Sequence, residues 1–333
     1  MHVQRANRAT TTALCAAAVL TLVSSCGLTG SNTVAVTSAG PAQKADLVVG
    51  VVPAEANSAV YVAEERGIFA AHGLHVTLKT ITSTADIVPE LLNGSLDVAA
   101  GQLTTFISAQ ANGVGRFRVL AAGVEMGPGV EQIITPGTSP ITSPSQLAGS
   151  VIAVNAATGN GVLLTDNMLA GYGISPGAVT YKVVPFPDMA AALASHEVAA
   201  AYCPEPYAEE IDEQTGATEL ADLNQGGVEG LLIGGYTATA GWARKYPRTA
   251  AAFAASVDEA SGLADSDFSV VEPAYRAGLD ISAEVAGSMA TGFYPTSVPT
   301  NGLSQVASLM QQFGELSPGV NVGALARALT AGS

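Results

Sequence analysis

Short apolar runs of strand-like pattern alternate with longer runs in which apolar residues recur at helical spacing. The strand-like runs are residues 47–52, 74–80, 96–100, 117–122, 151–155, 179–185 and 198–202. The helix-like runs are residues 58–66, 85–93, 103–111, 161–169, 188–195 and 205–213, and the pattern is mainly helical beyond residue 240. Apolar periods of two and of about 3.6 residues are typical of strands and of helices. Their alternation predicts parallel sheets covered by helices on both faces.

The elements fall into two series. The sequence Pro-Gly-Thr-Ser-Pro at residues 136–140 interrupts the pattern between them. A chain of 333 residues is also long for one compact core. We therefore predict an α/β fold of two Rossmann-like lobes with a ligand cleft between them. In open α/β sheets, ligands bind at the carboxyl ends of the strands.

The amino terminus has the pattern of an export signal. Arg5 and Arg8 precede an apolar run at residues 13–23, and no acidic residue lies before it. A charged start followed by a short apolar run is typical of a secretory signal peptide. The run is too short for a membrane-spanning helix, which needs about 20 apolar residues. We predict a lipoprotein signal peptide over residues 1–25.

Cys26 follows this run in the sequence Val-Ser-Ser-Cys, which resembles the bacterial lipobox. This predicts a lipid on Cys26 and a protein anchored at the extracytoplasmic face of the bacterial cell membrane. The alternative is an ordinary cleaved signal with an incidental cysteine. Residues 26–46 are rich in Gly, Ser, Thr, Ala and Pro, a composition that predicts a flexible tether.

Charge and reactive residues exclude several function classes. The net charge is −15, and the 13 Lys and Arg residues are scattered, so nucleic acid is not an expected partner. The His and Cys residues lack metal-ligand spacing, and no CxxC, HExxH or GxSxG motif is present. We expect no metal, no cofactor and no catalytic residue, and we expect that the protein is not an enzyme.

Five segments in a fixed order resemble the nitrate/sulfonate/taurine and thiamine-pyrimidine group of ABC substrate-binding proteins. The first is VPAEANSAVYVAEERGIFAAHGLHVTL at residues 52–78, and the second is LLNGSLDVAAGQLTTFISAQANG at residues 91–113. The others are at residues 154–174, 184–207 and 238–260. Each segment alone is weak evidence for the resemblance, and the specificity comes from the fixed order of all five. The likeness covers residues 47–260.

This resemblance implies the type II periplasmic-binding-protein fold, in which the chain crosses twice between the lobes. The crossings are expected at residues 131–136 and 230–239. The first lobe would then comprise residues 47–133 and 234–333, and the second residues 134–233. The implied function is capture of a small polar organic solute for ABC permease subunits, by a monomer. Alternatives are a sensor lipoprotein and a thiamine-pyrimidine biosynthesis enzyme, although the iron motif of that enzyme branch is Cys-rich and this chain is not.

Four loops at strand ends, with two aromatic residues beside them, are expected to form the ligand site. The candidates are Glu55, Asn57, Ser58, Gln102, Thr104, Thr105, Asn155, Thr158, Gly159, Asn160, Gly161, Phe186, Glu205 and Tyr236. The amides of residues 158–161 precede a helix and suit an anion or a carbonyl oxygen. Three alternatives stay open: plain helix caps at residues 158–161, a solvated acid at Glu205, and lobe core at Phe186.

The charges in these four loops indicate the kind of ligand. None of the Lys and Arg residues falls in them, and their only charged residues are Glu55 and Glu205. Because a buried, unpaired carboxylate is costly, a ligand that donates hydrogen bonds or carries an amine would suit Glu205. The prediction is a polar heterocycle or a zwitterion rather than a bare sulfonate.

Overall fold

Two five-stranded sheets form the framework of the computed structural model, which describes residues 40–81, 84–299 and 301–330. The strands are β1 (Asp46–Val51), β2 (His75–Thr80), β3 (Val98–Gln102), β4 (Phe117–Ala122), β5 (Glu131–Thr135), β6 (Val151–Val154), β7 (Thr180–Val183), β8 (Ala200–Pro204), β9 (Thr218–Asp222) and β10 (Gly234–Thr239). The first sheet has the order β2-β1-β3-β10-β4, and the second has the order β7-β6-β8-β5-β9. The predicted two-lobed α/β fold is confirmed.

Helices cover both sheets. They are α1 (Ala59–Glu65), α2 (Ile68–Ala71), α3 (Thr84–Asn93), α4 (Leu103–Ala111), α5 (Asn160–Gly171), α6 (Met189–Ala194), α7 (Tyr207–Thr215), α8 (Ala240–Lys245), α9 (Pro247–Ser266), α10 (Phe268–Leu279), α11 (Ala283–Ser288), α12 (Gly302–Gln312) and α13 (Val322–Thr330). Helices α9 and α10 pack on α1, whereas α12 and α13 pack on α4. Within the described ranges, no helix has the length and apolar character needed to cross a membrane.

Each sheet contains one strand that runs against its neighbours. In the first sheet β10 is antiparallel to β3 and β4, and in the second β5 is antiparallel to β8 and β9. The central strands are buried on both faces, and β8 (AAYCP) is buried at every position. Such strands are continuous apolar runs rather than alternating ones. The sequence therefore predicts β8 from its continuous apolar run and not from alternation of apolar and polar residues.

The two crossings lie earlier in the chain than the sequence predicted. Residues 131–136 were expected to form the first crossing, but Glu131–Thr135 is β5 of the second sheet, so the chain crosses between β4 and β5. Residues 230–239 were expected to form the second, but Gly234–Thr239 is β10 of the first sheet. Each crossing leads into an antiparallel strand.

Three segments lie side by side at the hinge between the lobes. The two crossings are joined by the Gly123 amide, which donates to the Gly234 carbonyl at 3.0 Å. Here a Cβ on Gly123 would come within 2.6 Å of a backbone oxygen, so the close approach requires glycine. The third segment, residues 289–294, pairs with the first crossing through Glu125 and Phe293. The sequence analysis did not place this segment.

The tether predicted over residues 26–46 extends too far toward the carboxyl terminus, because its last residues are bonded to the folded chain. The Lys44 amide and the Gln43 amide each donate to the Thr249 hydroxyl at 3.0 Å, and Lys44 forms an ion pair with Asp97. Arg248 donates to the Pro41 carbonyl at 3.0 Å. These bonds attach the chain to α9 before β1 begins. Residues 41–46 therefore belong to the fold, and the predicted signal peptide and the predicted lipid site at Cys26 lie outside the described residues.

Candidate functional site

A small cavity lies between the lobes, and we call it the interlobe cavity. Its lining residues are Val52, Ala54, Glu55, Ala56, Asn57 and Gln102 from the first lobe, Val130 from the first crossing, and Glu131, Asn160, Phe186, Tyr202, Pro204 and Glu205 from the second lobe. Its volume is about 20 Å³, space for about one water molecule. A surface hollow beside α12 is larger, about 330 Å³, but its only charged lining residue is Glu229.

The loop after β1 is held rigidly by its own polar groups. Residues Glu55–Asn57 form a single turn of 3-10 helix, and the Ser58 hydroxyl donates to the Glu55 carbonyl at 2.5 Å. The Asn57 side-chain amide donates to the Val52 carbonyl at 2.9 Å, and the Tyr236 hydroxyl donates to the Asn57 carbonyl at 3.1 Å. These bonds direct the Glu55 side chain into the cavity.

Glu55 is a fully buried carboxyl whose two oxygens differ. Oε1 accepts hydrogen bonds from the Tyr294 hydroxyl and from the Gly292 amide, the latter at 3.2 Å. Oε2 has no hydrogen-bond partner within the described part of the chain. Burial raises the pKa of Glu55 to about 7, although both hydrogen bonds act in the opposite direction.

Glu131 is a site residue that the sequence analysis missed. It is the first residue of β5, it is 2% exposed, and its Oε2 accepts a hydrogen bond from the Tyr202 hydroxyl. Its pKa is raised to about 8, mainly by burial and in smaller part by the nearby charge of Glu55. The only sequence signal was an acid that begins an apolar run, which is too common to single out.

Glu205 follows β8 and completes a group of three carboxyls. It is only 2% exposed, so the alternative of a solvated acid is wrong. Its Oε1 accepts long hydrogen bonds of 3.4 Å from the Gln132 side chain and the Ala290 amide. Burial raises the pKa of Glu205 to about 8, and the charges of Glu209 and Glu55 contribute to the increase.

Asn160 joins the lobes across the cavity. Its backbone amide donates to Gln102 Oε1 at 3.2 Å, and its side-chain oxygen accepts from the Thr104 hydroxyl at 3.1 Å. Its side-chain nitrogen donates to the Ile233 carbonyl at 3.2 Å in the second crossing. A further bond between the lobes runs from the Glu55 amide to the Glu205 carbonyl at 3.0 Å. The structure thus describes the lobes in contact.

The loop before α5 offers fewer free amides than its sequence suggests. The Gly159 amide donates to Glu315 Oε1 at 3.0 Å, and the Asn160 amide is the one bonded to Gln102. Gly159 has φ of +110°, and a Cβ on Gly161 would lie 2.7 Å from the Tyr202 ring. Glycine is therefore required at both positions, by the backbone conformation at Gly159 and by the close ring at Gly161. Glu315 and Gln102 therefore occupy two of the amides that could donate hydrogen bonds to an anion.

The remaining predicted residues lie around or behind the cavity. Thr158 is exposed, whereas Asn155 and Thr105 are half-buried, and none of the three lines the cavity. Ser58 and Tyr236 are buried behind it, where Tyr236 packs on Phe253 with ring centroids 6.0 Å apart.

The aromatic wall of the cavity is also part of the core of the second lobe. The Phe186 ring stacks on Tyr207 at 4.7 Å and lies 6.1 Å from the Tyr202 ring. Phe186 is 8% exposed and lines the cavity. The two interpretations offered by the sequence, cavity wall and lobe core, therefore both describe this residue.

The arrangement of acids does not suit a metal ion. Among the described residues, no three His, Cys, Asp or Glu side chains come together closely enough to hold one. Among the described residues that line the cavity, none is Lys or Arg. The chemistry available at this site is therefore hydrogen bonding to carboxyl and amide oxygens, with carboxyls that can become negatively charged.

Solved structures of the same fold include binding proteins and enzymes. The alkanesulfonate-binding protein SsuA from Xanthomonas axonopodis pv. citri, bound to MOPS, has a TM-score of 0.72 at 19% identity, over 86% of this chain and 99% of its own. The periplasmic nitrate-binding protein NrtA from Synechocystis PCC 6803 has a TM-score of 0.72 at 16% identity, over 88% of each chain. The desulfurization enzyme DSZB has a TM-score of 0.61 at 18% identity, over 85% of this chain and 96% of its own.

Sequence comparison gives the family directly. No curated protein matches the chain. The model of the NMT1-like family matches residues 40–274, which is more than half of the chain and includes both lobes and the interlobe cavity. The match agrees with the resemblance carried by the five segments, and that prediction is confirmed: the chain belongs to the NMT1-like family.

Proposed function

We propose that the protein is an extracytoplasmic solute-binding protein that captures a small polar organic solute in the interlobe cavity and delivers it to an ABC importer. The observation that carries the proposal is the cavity itself, enclosed by polar side chains from both lobes beside a three-segment hinge. Such a site encloses a solute when the lobes close and releases it when they open. The binding proteins of this fold support the same role.

A binding role also fits the residues better than catalysis does. Cys203 is the free cysteine of the described chain, it is completely buried in β8, and burial raises its pKa well above the usual value. A thiol of this kind is a poor nucleophile, because the thiolate is the reactive form. The proposal includes no cofactor and no nucleic acid, and it treats the protein as a monomer.

The proposed role predicts closure of the lobes over a solute that stays chemically unchanged. We expect small-angle scattering at pH 8.5, where the ligand-free lobes are expected to be open, to give a smaller radius of gyration at saturation with the solute than without it. The bound solute, released by denaturation, should be recovered intact in equimolar amount by mass spectrometry. Conversion of the solute to a product would contradict the binding role, and an unchanged radius would contradict hinge closure.

We also propose that Cys26 carries a lipid anchor, since it follows the apolar run of the signal peptide. The variant Cys26→Ala should leave the membrane fraction and lose metabolic labelling by fatty acid. Cys203→Ala is the matched control, because a buried thiol is not available to the lipid-transfer machinery. Continued membrane retention and acyl labelling of Cys26→Ala would contradict the anchor.

A further inference from the structure

Three buried carboxyls face one small cavity that has no cationic side chain in its lining. Glu55, Glu131 and Glu205 are 0%, 2% and 2% exposed. A buried carboxylate is normally paired with a cation or neutralised by a proton. Burial raises the pKa of all three, as expected for acids that lack such a partner. The protein therefore places three acids here that are held neutral by protons when no ligand is bound, and that a bound cation can ionise and pair with.

Two hydrogen-bond acceptors at the cavity are also unpartnered. Glu55 Oε2 and Asn57 Oδ1 have no hydrogen-bond partner among the described residues, and Asn57 is only 3% exposed. Buried polar atoms in native proteins are almost always hydrogen-bonded, since an unmet acceptor costs roughly 1–3 kcal/mol. Both residues line the cavity. A ligand there would satisfy them only by supplying donors.

Other ligand classes fit these observations less well. An anion would meet three carboxyls, and two of the helix amides that could hold it, those of Gly159 and Asn160, are bonded to Glu315 and Gln102. A metal ion needs ligands that converge on one point, and the acids of the described chain do not. A neutral donor would satisfy the acceptors but would leave the three acids without a charge partner.

The aromatic wall supports a cationic ligand. The rings of Phe186 and Tyr202 both line the cavity. The face of an aromatic ring attracts an organic cation by about 0.5–2 kcal/mol, more when water is excluded. The volume of about 20 Å³ in the closed form means that a ligand of several heavy atoms must hold the lobes slightly further apart.

We propose that the interlobe cavity binds a small organic cation with several N–H donors, that is, an amine, amidine or guanidine. Glu55 Oε2 and Asn57 Oδ1 accept its hydrogen bonds, and Glu131 and Glu205 balance its charge. This inference rests on the proposed solute-binding function and names the class of solute.

The test is a thermal-unfolding screen of the folded chain with matched small ions. The probes are methylammonium, methylguanidinium and 1,4-diaminobutane, with tetramethylammonium as a cation that lacks N–H donors and with ethanesulfonate and nitrate as anions. A ligand at 100 times its dissociation constant stabilises the folded state enough to raise Tm by about 5 °C. We expect this shift with at least one N–H cation and none with the other three ions.

Variants then locate the binding. Glu55→Gln places an amide nitrogen at the cavity, so calorimetry should show affinity for the N–H cation about 30-fold lower or worse, as when one partner of a buried charge pair is removed. Glu131→Gln is a second variant in case the first does not fold. Glu65→Gln, an exposed acid on α1, is the matched control and should bind normally.

The possible outcomes test this inference independently of the proposed solute-binding function. Tight binding of ethanesulfonate or nitrate would overturn the cationic class and leave solute binding intact. An equal response to tetramethylammonium would overturn the role of N–H donors. A lack of response to every N–H cation, or unchanged affinity in Glu55→Gln and Glu131→Gln, would overturn the inference, whereas recovery of an intact bound solute by mass spectrometry judges the solute-binding function.

Discussion

The ligand-free protein should open as the pH rises from 5 to 8.5. In the closed form, burial raises the pKa of Glu55 to about 7 and the pKa of Glu131 and Glu205 to about 8, from a usual value near 4.5. In an open form, water reaches these carboxyls and their pKa values return toward normal. The closed form therefore binds more protons between about pH 4.5 and pH 8, and its advantage is lost as the pH rises through this window.

The expected effect is large. One pKa unit corresponds to about 1.4 kcal/mol, so even part of the combined shift changes the ratio of closed to open protein by about 100-fold or more. The other titratable side chains that interact with the three carboxyls are Tyr202, Cys203, Glu209, Tyr236, Tyr275 and Tyr294. Burial raises the pKa of the four tyrosines and of Cys203, which therefore stay neutral over this range.

Scattering and thermal unfolding of the ligand-free chain at pH 5, 7 and 8.5 measure this effect. We expect the radius of gyration to rise and Tm to fall with pH. The triple variant Glu55→Gln, Glu131→Gln, Glu205→Gln should lose most of both responses and should unfold at a higher temperature than the wild type at pH 8.5. Glu65→Gln should respond as the wild type does. A radius that is independent of pH in the wild type would refute the account.

Replacing Asn160 by Ala should open the lobes without unfolding either of them. The substitution removes the hydrogen bonds to Thr104 and to the Ile233 carbonyl, both of which lie outside the second lobe. Each buried group left without a partner costs about 1–3 kcal/mol. Because opening the lobes returns these groups to water, we expect the ratio of closed to open protein at pH 5 to fall by about 10- to 100-fold.

The measurement is the radius of gyration at pH 5, where the wild type is expected to be closed. The matched control is Asn155→Ala, since Asn155 is half-buried and its side chain makes no hydrogen bond in the described part of the chain. The control should keep the wild-type radius. A compact Asn160→Ala protein would mean that the bond from the Glu55 amide to the Glu205 carbonyl is sufficient to keep the lobes together.

Much of the candidate site followed from one rule, that ligands meet the carboxyl ends of parallel strands. Glu55, Gln102 and Glu205 lie after or at the ends of β1, β3 and β8, where the rule places them, and all three line the interlobe cavity. The same rule cannot find Glu131. Because β5 runs antiparallel to β8, its amino end lies at the cavity, and Glu131 pairs with Pro204 at the end of β8.

The hydrogen-bond partners of the carboxyls could not be predicted from the sequence, for a different reason. Tyr294, Gly292 and Ala290 belong to the third segment of the hinge, about 235 residues from Glu55 and 85 from Glu205. No local period or spacing relates positions so far apart. Their proximity depends on how the carboxyl-terminal chain pairs with the first crossing.

The sequence by itself determined the alternation of strands and helices, the two-lobed class, and the lack of cationic residues in the strand-end loops, because periodicity and residue type are local properties. Tertiary structure alone decided that β5 and β10 are antiparallel, where the crossings fall, and which oxygens of the buried acids lack a partner. Those features depend on contacts between segments distant in sequence. The acidic character of the cavity arises in the same way, since Glu55, Glu131 and Glu205 come to line one cavity only after two lobes and a hinge bring them together.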